Sequence, residues 1–295
     1  MTHSVSRRCV LKNLAAGGAT AAAAVSLPGA LVAEEGDQPA RLKGNINHSV
    51  CRWCYRGLSL DALCRAAKAM GITSIDLLGP EEWPVAKKYG LTCAMANGAG
   101  MGITKGFNRV ELHDKLVADY EKLIPQAAQA GLENVICFSG NRGGMDDETG
   151  LKNCALGLRR LMPCAERNKV NVVMELLNSK VDHKDYQCDH TEWGAELCRQ
   201  VGSERFKLLY DIYHMQIMEG DLIATIKRNA PYIAHYHTGG VPGRNEIDET
   251  QEIYYPAVMK AIVATGFKGF VAQEFIPRGS DPIASLKSAI RICDV

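Results

Sequence analysis

With 295 residues, 46% of them hydrophobic and 23% charged, the chain can bury a large core and still form one domain, as barrels of roughly 250 residues commonly do. Lys and Arg total 34 against 33 Asp and Glu, a formal charge of +1. This balance excludes the basic footprint that neutralises phosphates, so nucleic acid is not an expected partner.

The chain opens on an address rather than on fold. Ser6-Arg7-Arg8-Cys9-Val10-Leu11-Lys12 precedes an Ala/Gly-rich apolar stretch from Leu14 to Leu27 and small residues ending at Ala33. Gly17, Gly18, Ser26, Pro28 and Gly29 break that stretch, which is shorter than the roughly 20 residues of a membrane span. The segment resembles a twin-arginine export signal, with Val10 where that family usually has Phe. Residues 1–33 are thus expected to meet the twin-arginine translocase and be removed, leaving a periplasmic or otherwise exported protein. Residues 34–43 read as a polar connector and residues 44–295 as one barrel.

Apolar strand-like runs then alternate with helix-like stretches, the signature of repeated βα units and a parallel sheet. Strands are predicted over residues 45–50, 74–78, 92–97, 134–139, 171–177, 207–212, 232–238 and 269–275. Helices are predicted over 59–70, 81–89, 109–130, 147–168, 190–201, 221–230, 254–265 and 281–290. Gly71, Gly90, Gly131 and Gly266 each follow a helix-like run, where a left-handed cap is needed. Eight units favour a closed (β/α)8 barrel over an open doubly wound sheet. Asn97-Gly-Ala-Gly-Met-Gly102 forms a glycine-rich loop after the third strand, but its spacing is not a dinucleotide fingerprint. The chain has 11 cysteines scattered over strands and helices, and the Cys51-Arg-Trp-Cys54 pair lacks the partners of a zinc cage. Buried thiols are expected.

A barrel's active site forms at the C-terminal ends of its strands. Four consecutive strand ends carry ionisable groups: Glu175 after Val172-Val-Met, Asp211 after Leu208-Leu-Tyr, His237 after Ile233-Ala-His-Tyr, and Glu274 after Phe270-Val-Ala-Gln. A lone strand-end carboxylate more often caps a loop or pairs with an arginine. Four converging groups need a cation to offset their desolvation and repulsion. Three carboxylates and an imidazole suit one Mn²⁺ or Mg²⁺, with Co²⁺ or Fe²⁺ as substitutes, rather than a thiolate-rich zinc site.

The run Leu208-Leu-Tyr-Asp-Ile-Tyr-His-Met-Gln-Ile-Met-Glu-Gly220, with Glu175 before it and Phe270-Val-Ala-Gln-Glu274 after it, resembles hydroxypyruvate isomerase. More broadly, residues from Gly44 onward are similar to the xylose isomerase-like barrel superfamily, which also holds ketose 3-epimerases and endonuclease IV. The resemblance implies a divalent metal on Glu175, Asp211, His237 and Glu274, with Glu175 and Glu274 also acting as acid and base. His237 departs from the hydroxypyruvate isomerase pattern, which has Gln there, and matches the epimerases.

The expected chemistry is proton transfer between adjacent carbons of a small α-hydroxycarbonyl through an enediolate, with hydroxypyruvate and tartronate semialdehyde as the pair the resemblance suggests. His214, Arg244, Asn178, His48 and Arg52 are the candidate substrate-binding residues, with Arg244 reaching over the site from the loop Gly239-Gly-Val-Pro-Gly-Arg244 to clamp a carboxylate. His235 shares a strand face with His237 and is expected to be structural, one layer deeper. The rival reading is a ketose or keto-sugar 3-epimerase, which a roomy mouth lined by Trp53 would favour. A non-catalytic sugar-binding barrel would have lost its ligands, and an endonuclease IV-like nuclease would need further histidines and a basic face. The partner is a small hydroxycarbonyl or sugar, and homo-oligomers are compatible with this reading.

Overall fold

The computed structural model describes residues 41–295. The expected export signal, and the connector up to residue 40, lie outside the described residues. The elements run in chain order β1 (Asn47–Cys51), α1 (Leu60–Ala69), β2 (Ser74–Asp76), α2 (Trp83–Lys88), α3 (His113–Ala130), β3 (Asn134–Cys137), α4 (Asp147–Asn168), β4 (Asn171–Glu175), α5 (Thr191–Val201), β5 (Phe206–Asp211), α6 (Ile212–Met218), α7 (Leu222–Asn229), β6 (Ile233–Thr238), α8 (Tyr255–Ala264), β7 (Phe270–Gln273) and α9 (Pro282–Cys293).

The seven strands are all parallel, in the order β2-β1-β7-β6-β5-β4-β3. Residues 92–96 close the ring as an irregular eighth stave. The Ile75 and Leu77 amides donate to the Thr92 and Met95 carbonyls at 3.0 and 2.7 Å, and the Ile136 amide donates to the Ala96 carbonyl at 3.1 Å. The predicted strand is therefore present, but without a continuous ladder. One reason is local: Leu77 adopts a φ of 61°, which takes β2 out of extended geometry just where it would pair.

Most buried apolar residues pack between the sheet and the helices, while Met95, Ile136, Val173 and Leu209 form a small separate cluster. Period-two alternation puts Val173 and Glu175 on one strand face, and likewise Leu209 with Asp211 and His235 with His237. An apolar layer thus underlies a layer of ionisable groups. The four predicted glycine caps take positive φ, with Gly131 closing α3 at φ 79°.

Two features differ from the sequence reading. Helix α6 follows β5 with no intervening loop, because Asp211 ends the strand and caps the helix, its Oδ1 accepting from the His214 amide at 3.2 Å. The β5–β6 register also shifts between Leu208 and Leu209. Without that irregularity Asp211 would sit opposite Tyr236; with it Asp211 partners His237.

Candidate functional site

Glu175 ends β4, Asp211 ends β5, His237 lies in β6 and Glu274 immediately follows β7. All four are buried, and one donor atom from each lies within 4.8 Å of the others. Parallel pairing produces this convergence: Leu209, two residues before Asp211, partners Glu175, and Ala272, two residues before Glu274, partners His237. His237 Nδ1 lies 2.7 Å from Glu274 Oε2 and 3.4 Å from Glu175 Oε1.

The other edge of the same ring faces a second buried acid. His237 Nε2 lies 3.5 Å from Asp76 Oδ2 and 3.7 Å from Cys51 Sγ. Asp76 is fully buried, accepts from Ser49 Oγ at 2.6 Å and Ser74 Oγ at 3.2 Å, and meets His235 Nε2 at 2.5 Å. Burial by itself would raise the Asp76 carboxyl, but His235 and His237 hold it well below the usual range. Burial by itself would lower His237, but Cys51, Glu274 and Asp76 hold it well above the ordinary histidine range. A cation among the carboxylates would take the place of the proton on Nδ1, with Asp76 behind Nε2 as the acid that backs a metal-binding imidazole.

Two of the three carboxylates carry an electrostatic load that their surroundings do not relieve. Burial pushes Asp211 up to about 8, against the pull of Arg244 and with further lifting by Glu274 and Glu175. Burial also raises Glu175. Glu274 lies well below the usual range, because Arg244, His237 and Trp53 outweigh its burial. Three oxygens and one available nitrogen fit a hard divalent cation: bonds of about 2.1 Å set opposite donors roughly 4.2 Å apart, within the 4.8 Å spread seen here.

His214 is fully buried beside this group. The Asn178 amide donates to its Nδ1 at 2.7 Å, and its Nε2 lies 2.9 Å from Arg244 Nη1 and 3.6 Å from Asp211 Oδ2. Burial, then Arg244, hold His214 well below the ordinary histidine range, so it is neutral. Arg244 reaches over the site as expected. Its Nη2, however, lies 2.9 Å from Asp211 Oδ2 and 2.5 Å from Glu274 Oε2, and its guanidinium lies against the rings of Trp53 and Tyr213. The expectation of a free carboxylate clamp is corrected, since the fork is engaged on the protein's own acids. Arg244 also adopts a φ of 57°, held by hydrogen bonds to Gly240 O and from the Ile276 amide. Such strain in a non-glycine residue persists where surrounding structure fixes it.

The remaining three candidates are also corrected. Asn178 meets His214, with its amide committed to Asp182, His214 and the Val181 and Asp182 amides. Arg52 donates to the Tyr55 and Leu58 carbonyls and fastens the turn after β1. His48 is buried near the start of β1 and lies 3.9 Å from Asp294, at the opposite end of the barrel from the strand termini that carry the site. His235 is structural, as expected, with its ring 5.2 Å from that of His237.

A cavity of about 630 Å³ opens over Glu175 and Glu274. The glycine-rich loop forms part of its wall, and a Cβ at Gly98 would overlap the Ile136 carbonyl and the Tyr120 hydroxyl. Trp53 and Arg56 line the cavity as well, and the Trp53 indole donates to Glu274 Oε1 at 2.6 Å. Asp76 and the Trp53–Glu274 bond escape the sequence reading. The signal for Asp76 was an acid within an otherwise buried strand; Trp53 depends on the short turn Arg52–Tyr55, which carries no periodicity.

Residues 64–293 match the model of the Xylose isomerase-like TIM barrel family. The chain belongs to that family. Among relatives, a 2-oxo-tetronate isomerase of Cupriavidus necator is 28% identical over 228 residues, covering 72% of this chain and 85% of its own length. The hydroxypyruvate isomerase of Escherichia coli is 34% identical over 119 residues, covering 38% of this chain and 46% of its own. The solved structure of an AP endonuclease, family 2, from Brucella melitensis superposes with a TM-score of 0.71 at 21% identity, over 82% of this chain and 97% of that one. The last likeness is one of fold. Both of the former relatives are named as isomerases.

Proposed function

We propose that this barrel is a metal-dependent isomerase that moves a proton between adjacent carbons of an α-hydroxycarbonyl, acting on a hydroxy-keto acid of the hydroxypyruvate and tartronate semialdehyde kind. The observation that carries the reading is the convergence of Glu175, Asp211, His237 and Glu274 donors within 4.8 Å. Relatives named for isomerisation of hydroxypyruvate and 2-oxo-tetronate support the substrate class. A divalent cation held by these four residues would offset the negative charge that develops on the substrate's two oxygens.

The protein's own groups then divide the remaining work. Glu175 makes no hydrogen bond to Trp53 or Arg244 and is raised by burial, so it is the carboxylate with an oxygen free to take the proton. Glu274, fixed by Trp53 and Arg244, faces it across His237 and acts on the adjacent carbon. Arg244, committed to Asp211 and Glu274, and the neutral His214 beside it hold those acids in place rather than meeting the substrate through a free fork.

A 3-epimerase is the second reading, supported by His237 and by a cavity of about 630 Å³ lined by Trp53, a volume within the 300–1,000 Å³ range of sites for larger ligands. The test for both is proton NMR in D₂O with hydroxypyruvate, small ketoses and keto-sugars, which reports the C–H bond opened. Glu175→Gln and Glu274→Gln are each expected to lower exchange at least a thousandfold. Stripping the metal should abolish exchange and lower the melting temperature by about 5–10 °C relative to protein held near 100 Kd of Mn²⁺. Full turnover in the stripped protein would refute the mechanism.

A further inference from the structure

The cavity has a charge arrangement that the reaction alone does not require. At its floor, Glu175 and Glu274, with Asp211 behind them, face the single cation Arg244, whose fork is committed to Asp211 and Glu274. Leu77, Ile136, Phe138 and Leu177 provide an apolar stretch of wall. Arg56 also lines the cavity, three residues beyond Trp53, and is exposed. It makes no side-chain hydrogen bond or ion pair with any described residue. Of the two arginines lining the cavity, then, only Arg56 has its fork uncommitted.

An uncommitted guanidinium beside a cleft binds carboxylate or phosphate in bidentate fashion, and a cleft of one sign concentrates ligands of the other. With a divalent cation and Arg244 together only balancing the three acids, the floor has no excess positive charge for an anionic group remote from the reacting carbons. The carboxylate of a three-carbon keto acid is bonded directly to the reacting carbonyl carbon, so it stays at the floor and leaves the apolar wall uncovered. We propose that Arg56 is a separate anion subsite, and that the preferred substrate is an α-hydroxyketone longer than three carbons that carries a terminal carboxylate or phosphate remote from the reacting carbons. The inference rests on the isomerase reading for the position of those carbons. It keeps the isomerase chemistry but sets the three-carbon pair aside in favour of chains long enough to reach both sites.

The experiment compares three ligands of one length, a neutral ketohexose, the corresponding keto-uronate and the ketohexose 6-phosphate, in Mn²⁺-loaded wild type, Arg56→Gln and Glu175→Gln. Calorimetry measures binding and deuterium exchange measures turnover. In the wild type at least one anionic ligand is expected to bind tenfold or more tightly than the neutral one, and the arm showing the larger ratio identifies carboxylate or phosphate. The ratio should fall to within threefold of unity in Arg56→Gln, with affinity for the neutral ketohexose unchanged, and should persist in Glu175→Gln. It should also shrink with added salt, because the site is exposed. A ratio near unity in the wild type, or one that Arg56→Gln leaves intact, overturns the subsite. If no ligand exchanges deuterium but the ratio depends on Arg56, the isomerase reading fails and the subsite stands.

Discussion

Asp76 reaches the proposed chemistry only through another residue. Its carboxylate gathers Ser49, Ser74, His235 and His237 in a fully buried cluster, and with a cation on Nδ1 its effect would be to keep the His237 proton on Nε2. Asp76→Asn keeps the volume but removes the charge. The expected result is a 10- to 100-fold loss of metal affinity, the usual cost of removing an acid behind a ligating histidine. Titration with Co²⁺, followed by visible absorption, checks this, and near-native turnover should return at saturating metal. Unchanged affinity would mean that Asp76 only supports packing. The contrast with Glu175 explains what the sequence could disclose. A carboxylate ending Val172-Val-Met is conspicuous, because nothing apolar explains a charge at the mouth of a barrel. Asp76 is equally charged, but its meaning lies in two histidines some 160 residues away, a relation that only barrel closure creates.

Between elements, the loops over the barrel mouth depend on a second buried charge. Arg142, ahead of α4, pairs with Asp189, ahead of α5, at 2.9 Å, and Asp189 also accepts from Ser179 at 2.5 Å and meets His190 Nδ1 at 2.8 Å. Burial by itself would raise the Asp189 carboxyl, but His190, Arg142 and Ser179 hold it at about 2. A carboxyl lower in the folded than in the unfolded chain contributes stability at neutral pH that is lost on acidification. Discounted for partial exposure, the contribution is roughly 1–2 kcal/mol. Asp189→Asn should therefore be less stable than wild type by that amount at pH 7, with the gap closing between about pH 4 and pH 2. Urea midpoints across that range measure it, and a gap independent of pH would contradict the ion-pair account. At this scale the sequence located seven strands and most helices to within a few residues, because apolar runs and glycine caps mark them locally. It missed α6, where Asp211 serves strand and helix at once, and the β5–β6 irregularity that sets Asp211 beside His237. Register is a property of two strands together, so neither strand's own pattern reveals it.

The whole molecule poses a compartment problem that its cysteines make testable. The ten cysteines among the described residues are all free, and every one but Cys54 is buried. Burial raises the thiols of Cys51, Cys137 and Cys188 well above their ordinary range, so within the fold they are poor nucleophiles. An unfolded chain has no such protection, and an oxidising compartment would pair those thiols at random. A leader of the twin-arginine kind would avoid this, since that route carries cargo already folded. We propose that Arg7-Arg8 directs such export, so that the barrel closes and its thiols are buried before translocation. Replacing Arg7-Arg8 with Lys-Lys should leave folded, active enzyme inside the cell, as cell fractionation would show. Replacing residues 1–33 with a leader for the unfolded-chain route should instead deliver protein whose cysteines have oxidised, visible as disulfide-linked species on non-reducing gels and as lost activity. Correct fractionation of the Lys-Lys variant to the exterior would refute the leader assignment. Full activity after unfolded export would show that the barrel folds faster than its thiols oxidise, and that folding before export is not required.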